Sequence, residues 1–207
     1  MAGPEAHFYR TADGTGLPHD PFNAIVGPRP IGWISTLSAE GVRNLAPYSF
    51  FNGFNYHPPI VGFASVGWKD SVANIEATGE FVWNLATRDL ASAMNETSAT
   101  LPSDDDEFER SGLTAIPSSL IAAPRVLESP VNFECRLTQL VQLRDTDGGA
   151  VETWLTLGQV VAVHIDRRWL VDGVYDTAGP RPILRAGGPA DYSEIGPDTV
   201  FTMVRPS

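Results

Sequence analysis

The 207-residue chain carries 25 acidic against 14 basic residues, a net charge of −11 and a pI of about 4.6. That balance excludes a broad nucleic-acid surface, which needs a basic stripe, and electrostatic attachment to acidic membranes. With 43% hydrophobic and 19% charged residues, the composition is that of one globular domain.

The first 20 or so residues read as an arm. "MAGPEAHFYRTADG" has neither a basic region nor an apolar run, so no signal peptide is expected. No apolar stretch approaches a membrane span, and a cytoplasmic location is the expectation. Short apolar runs then alternate with turn residues, the pattern of a β-rich domain. The first two strands, "IGWISTLS" and "NLAPYSFFNGF", flank the hairpin turn "AEGV", and "IVGFASV" follows. Next comes "WKDSVANIEATGEFVWNLAT". Asp70 or Ser71 is expected to cap a short helix that ends at Gly79, before the buried strand "EFVWNLA". A helix start exposes unpaired N–H groups and suits an anion, and Lys69 adds a full charge there. The alternative is a surface lysine before an ordinary helix.

Between residues 88 and 128, "DLASAMNETSA" reads as helix, "LPSDDDEFERSGL" as a loop into a short helix and "IPSSLIAAPRVLESP" as irregular. Asp104–Glu107 is read as a solvated helix start, its acids favoured by the helix dipole, and not as a metal site. The two longest strands, "VNFECRLTQLVQLR" and "WLTLGQVVAVHID", are joined through the turn "DTDGG". Cys135, the only cysteine, is expected in the core. His7, His19, His57 and His164 have no metal-ligand spacing, and alternation puts His164 on a wet or partner-facing side. No phosphate loop, nucleophile elbow or dinucleotide fingerprint occurs, so any redox chemistry would rest on a cofactor other than a Rossmann-bound nicotinamide.

Three segments carry a resemblance: "PRPIGWIST", "NLAPYSFFNGFNYHPPIVGFAS" and "KDSVANIEATGEFVWNL". In this order and spacing they resemble the flavin reductase-like family of FMN-binding split barrels, which includes the reductase component of nitrilotriacetate monooxygenase. "DEFERSGLT", "PRVLESPVNFEC", "GQVVAVHID" and "RAGGPADY" extend the match to the C-terminus. The resemblance implies a mainly β fold, a six-stranded antiparallel Greek-key barrel with peripheral helices, in a single domain. It also implies FMN, with FAD as the alternative cofactor, NAD(P)H as co-substrate, and a homodimer with the flavin near the subunit interface. A partner monooxygenase or redox protein would take the electrons.

By the same resemblance Lys69 and Ser71 lie at the FMN phosphate. Asn44, Ala46, Pro47, Tyr48, Ser49, Phe50 and Asn52 lie along the ribityl chain and ring. Pro47 is expected to interrupt strand pairing there and free backbone groups for the ligand. Tyr48 and Phe50 could equally be barrel core. Arg29 assisting the phosphate and Trp33, Ser35 and Thr36 lining the groove is one reading of "PRPIGWIST"; plain packing of one strand face is the other. Arg185 and Tyr192 match a segment near the active site. The chain departs from some flavin reductases at Gly158-Gln159-Val160, where they carry a histidine associated with nicotinamide handling. Three functions stay in competition: an NAD(P)H-dependent flavin reductase, an electron carrier that retains its FMN, and a barrel binding another small molecule.

Overall fold

The computed structural model describes residues 5–100, 102 and 105–206. One antiparallel sheet of seven strands dominates it. These are β1 (Gly32–Leu37), β2 (Arg43–Tyr48), β3 (Phe51–Tyr56), β4 (Pro59–Val66), β5 (Glu80–Asn84), β6 (Val131–Arg144) and β7 (Ala150–Ile165). Their order is β2-β1-β5-β6-β7-β4-β3. Strands β2 and β3 therefore form opposite edges, although only Ser49 and Phe50 separate them in the chain. From Tyr48 to Phe51 the backbone spans at most about 11 Å, so the sheet must curl until its edges nearly meet. The result is a split barrel: the edges approach, and no ladder joins β2 to β3.

The bend accounts for the seventh strand of the sheet. "NLAPYSFFNGF", expected as one strand, is divided at Ser49–Phe50. Pro47 does not cause the division. It sits inside β2 in register with Trp33, tolerated because β2 is an edge whose missing N–H faces no neighbour.

Both expected hairpins form. Ser38 N–H donates to the Val42 carbonyl at 2.8 Å across "AEGV", and the Asp145 carboxylate accepts from the N–H groups of Asp147 and Gly149 across "DTDGG". In β7, Gly158 leaves room for the Phe81 ring, which a Cβ there would meet at 2.3 Å.

The helices are α1 (Phe22–Ile25), α2 (Asp70–Thr78), α3 (Ala91–Glu96) and α4 (Glu107–Ser111). Gly79 ends α2 in the left-handed conformation at φ 73°, as its sequence position requires. Asp106 caps α4, accepting from Phe108 N–H at 2.9 Å; Asp104 lies outside the described residues. The "irregular" segment holds a two-residue ladder, Ala115–Ile116 against Arg125–Val126. A small sheet of Arg29–Pro30, Ile183–Arg185 and Tyr192–Glu194, and a short hairpin of Leu170–Val171 against Val174–Tyr175, complete the strands.

β1 is buried on both faces. Ile34 joins Tyr48, Phe63, Ile75, Phe81 and Cys135 in one core cluster. Trp33 joins Leu45, Met94, Phe108 and Ile183 in the other, beneath α3 and α4. Burial pushes the Cys135 thiol above its usual range, so it is an inert core group. Among the described residues no helix is long and apolar enough to cross a membrane, and no group of three His, Cys, Asp or Glu could hold a metal ion.

Candidate functional site

Where α2 begins, its N-terminus, the β2 edge and the segment after α3 enclose a cavity of about 460 Å³. Six residues singled out in the sequence line it: Asn44, Ala46, Pro47, Tyr48, Lys69 and Ser71. The helix starts one residue earlier than an Asp70 cap would place it, and two earlier than a Ser71 cap would. Lys69 is the N-cap, in extended conformation and without a side-chain capping bond, while Asp70 and Ser71 are already helical. The N–H groups of Val72 and Ala73 both donate to the Lys69 carbonyl, at 2.9 and 3.0 Å. Those of Asp70 and Ser71 are thus left at the open helix end. The exposed Lys69 side chain forms no ion pair among the described residues.

Ser71 is buried and fixed from behind, its Oγ accepting from Asn44 Nδ2 at 2.9 Å. Thr36 stands one layer further back, accepting from Asn74 Nδ2 at 3.0 Å and, more weakly, from Asn44 Nδ2 at 3.4 Å. The Tyr48 hydroxyl is buried close to Ser71 and Ser65 but has no hydrogen bond of good geometry. Burial pushes its pKa up, and the two serine hydroxyls only partly offset this. An orphan hydroxyl at a cavity wall is a group that a polar ligand would satisfy.

Asp70, Trp68, Glu107 and Thr97–Thr100 complete the lining, and the sequence reasoning did not assign them to the site. Glu107 belongs to the acidic run read as solvated, yet it is only 7% exposed. Its carboxylate accepts from Leu45 N–H at 3.1 Å, and burial holds its pKa above the usual carboxylate range, with Asp70 and Asp106 adding to the rise. Trp68 packs edge-on against Trp154 at 5.3 Å.

The remaining residues lie elsewhere. Arg29 is buried and fully used: it donates to the Ser49 carbonyl at 3.0 Å and to the Asn23 and Val26 carbonyls, and sits 5.3 Å over the Phe50 ring. It holds the Ser49–Phe50 bend against α1 and does not line the cavity. Trp33 and Ser35 are inaccessible; Trp33 Nε1 donates to Thr97 Oγ1 at 3.0 Å and Ser35 Oγ donates to the Pro124 carbonyl. For this strand face, packing is the reading the structure supports. Asn52 is exposed on β3, where its Oδ1 accepts from Gly53 N–H. Arg185 donates to the carbonyls of Gly188, Pro189 and Asp191 and lies 5.0 Å over Tyr192. His164 is half-buried rather than wet-facing, its Nε2 at 2.6 Å from Glu134.

The profile of the family described as "flavin reductase like domain" matches residues 27–179. The crystal structure of nitrilotriacetate monooxygenase component B from Bacillus cereus is 30% identical, covers 98% of each chain and superposes with a TM-score of 0.82. A 2-nitrobenzoate 2-nitroreductase from Pseudomonas fluorescens is 28% identical, covering 90% of this chain and 91% of its own, with a TM-score of 0.78. An uncharacterized protein of Halalkalibacterium halodurans is 33% identical over 186 residues, 87% of each chain.

Proposed function

The chain belongs to the flavin reductase-like family, and on that premise we propose that it is an FMN-dependent oxidoreductase fed by NAD(P)H, acting as a homodimer and supplying electrons to a partner monooxygenase. The observation that carries this reading is the cavity at α2, whose lysine, open helix end and orphan hydroxyl match the needs of a phosphorylated ligand. Bound FMN would supply the ring that accepts hydride from the nicotinamide.

The chain's own contribution is to bind and align. Lys69 meets the phosphate as a point charge, and the N–H groups of Asp70 and Ser71 donate to its oxygens. Asn44 orients the Ser71 hydroxyl toward the same anion. Ala46, Pro47 and Tyr48 offer the apolar wall along which the rest of the ligand lies. Two carboxyl groups stand near the phosphate. Asp70 is exposed, and its charge is screened by water; Glu107 is buried with a raised pKa, which lowers the cost of bringing an anion beside it.

Gln159, at the position where some reductases carry histidine, favours a second reading: an electron carrier that retains FMN without turning over nicotinamide. One experiment separates these. The purified protein is titrated with FMN and riboflavin, then assayed for NADH and NADPH oxidation. The reductase reading expects FMN binding and turnover; FMN binding without turnover leaves the carrier, and binding of neither flavin defeats both.

A further inference from the structure

A second polar cleft lies beside α3. Two adjoining hollows of about 350 and 370 Å³ share Arg88, Ile183 and Tyr192, between α3 and the small sheet. Ser92 and Asn95 of α3 line the first hollow, and Thr97–Thr100, just past the end of α3, line the α2 cavity. Asn95 and Thr97 are two positions apart in the chain, so the end of α3 and the residues just past it border both sites.

In a chain of net charge −11, this cleft gathers arginines. Arg181 holds Glu194 in a two-pronged pair, at 2.9 and 3.0 Å, so the carboxylate is committed. Arg88 is only loosely associated with it, at 3.9 Å, and its side chain is 61% exposed. The nearby Asp89 is exposed to water. Tyr192 is 43% exposed and carries Arg185 on its ring at 5.0 Å, so further ring surface is available for stacking. Two observations mark the cleft as more than surface relief. The Ser193 hydroxyl is buried without a partner, and Arg181 is held at φ 53°, a conformation L-residues rarely adopt and one found at ligand sites.

We propose that this cleft binds the adenosine-phosphate end of a nicotinamide dinucleotide, with Arg88 meeting a phosphate and Tyr192 stacking on the adenine. The chemistry is that of a planar base carrying an anion: an arginine for the phosphate, an aromatic face for the ring, and a hydroxyl to finish the polar contacts. The inference rests on the oxidoreductase reading, because that reading supplies the dinucleotide. It gives the donor a place beside the α2 cavity and not within it.

The test is calorimetric titration of the full-length protein with adenosine 2′,5′-bisphosphate and with 5′-AMP, repeated for Arg88→Ala and Tyr192→Ala, beside NAD(P)H kinetics. The expected result is binding of at least the bisphosphate, weakened about tenfold or more by either substitution, with FMN affinity unchanged. Equal affinity for both probes assigns Arg88 to the 5′-phosphate; preference for the bisphosphate assigns it to the 2′-phosphate. Arg88→Lys should recover part of the loss. In turnover, KM for the dinucleotide rises while kcat holds. Bisphosphate binding without any NAD(P)H oxidation supports the cleft and overturns the reductase reading. Oxidation whose KM neither substitution moves, or the same probe affinity in all three proteins, overturns the cleft.

Discussion

Beneath the loop 117–125, Glu134 is fully buried and spends its charge inside the chain: its carboxylate accepts from the N–H groups of Ser119 and Leu120 at 2.6 and 2.7 Å and contacts His164 at 2.6 Å. Asn84 and Asn132 continue the pattern next to it, bonded to each other at 2.9 Å and to Ser35 and Val126. At the α2 cavity, groups of the same chemical kind point at nothing. A lysine, two helix-end N–H groups and a tyrosine hydroxyl converge there without partners among the described residues. The buried Tyr48 hydroxyl costs about 1–3 kcal/mol while it stays unpaired. The first region therefore holds a long loop in place, and the second carries the groups that the proposed function assigns to a phosphate.

The comparison breaks first at Glu134. Glu134→Ala should cost about 3–5 kcal/mol of stability, because it strands two N–H groups and a histidine, and a denaturant titration reads the loss directly. FMN affinity of the protein that remains folded should be unchanged. Lys69→Ala should do the reverse. FMN binding falls by about one to two decades, equivalent to about 1.5–3 kcal/mol, while riboflavin binding and melting temperature hold.

Ser71→Ala falls between the regions. It removes the acceptor for Asn44 Nδ2, costing about 1 kcal/mol of stability, and weakens FMN less than the lysine change does because the helix N–H groups remain. Paired titrations and melting curves on the one variant check both parts.

The smallest effects are in pH dependence, and they carry opposite signs. For Glu134, burial pushes the pKa up, but the hydrogen bonds from Ser119, His164 and Leu120 outweigh it and hold the group below the usual carboxylate range. Its stabilisation is present above the unfolded-state pKa and is lost as pH falls through the folded value. For Glu107, burial dominates and the pKa is raised. Its contribution is present below the unfolded-state pKa and is lost as pH rises through the folded value. Melting curves from acid to neutral pH should show Glu134→Gln flattening the acid limb. Glu107→Gln should remove a loss that wild type suffers on the neutral side.

Much of the architecture was legible because local rules govern it. The turns at "AEGV" and "DTDGG", the left-handed Gly79 and the helix start within the acidic run are settled by a few adjacent residues. What the sequence concealed depends on contacts between distant residues. Glu107 reads as part of a solvated acidic run, yet the Leu45 N–H, on a strand far away in the chain, draws it into the cavity wall. Arg29 reads as a candidate phosphate partner, yet three backbone carbonyls consume it. The cap of α2 was misplaced because Lys69 starts the helix with no side-chain bond for a capping rule to detect. The small sheet went unseen because strands of two or three residues carry no periodicity. Lys69 and Ser71 are near neighbours at one helix start, which local reading picks out; Asn44 lies far from them in the chain and meets them only in the folded barrel.

The central claim is that the start of α2 reads a phosphate. The most direct measurement is a fluorescence titration of the wild-type protein with FMN and riboflavin, which differ only by that group. The account predicts that FMN binds tighter by about one to two decades, and that raising salt narrows the gap as the lysine charge is screened. Equal affinities for the two flavins would contradict it.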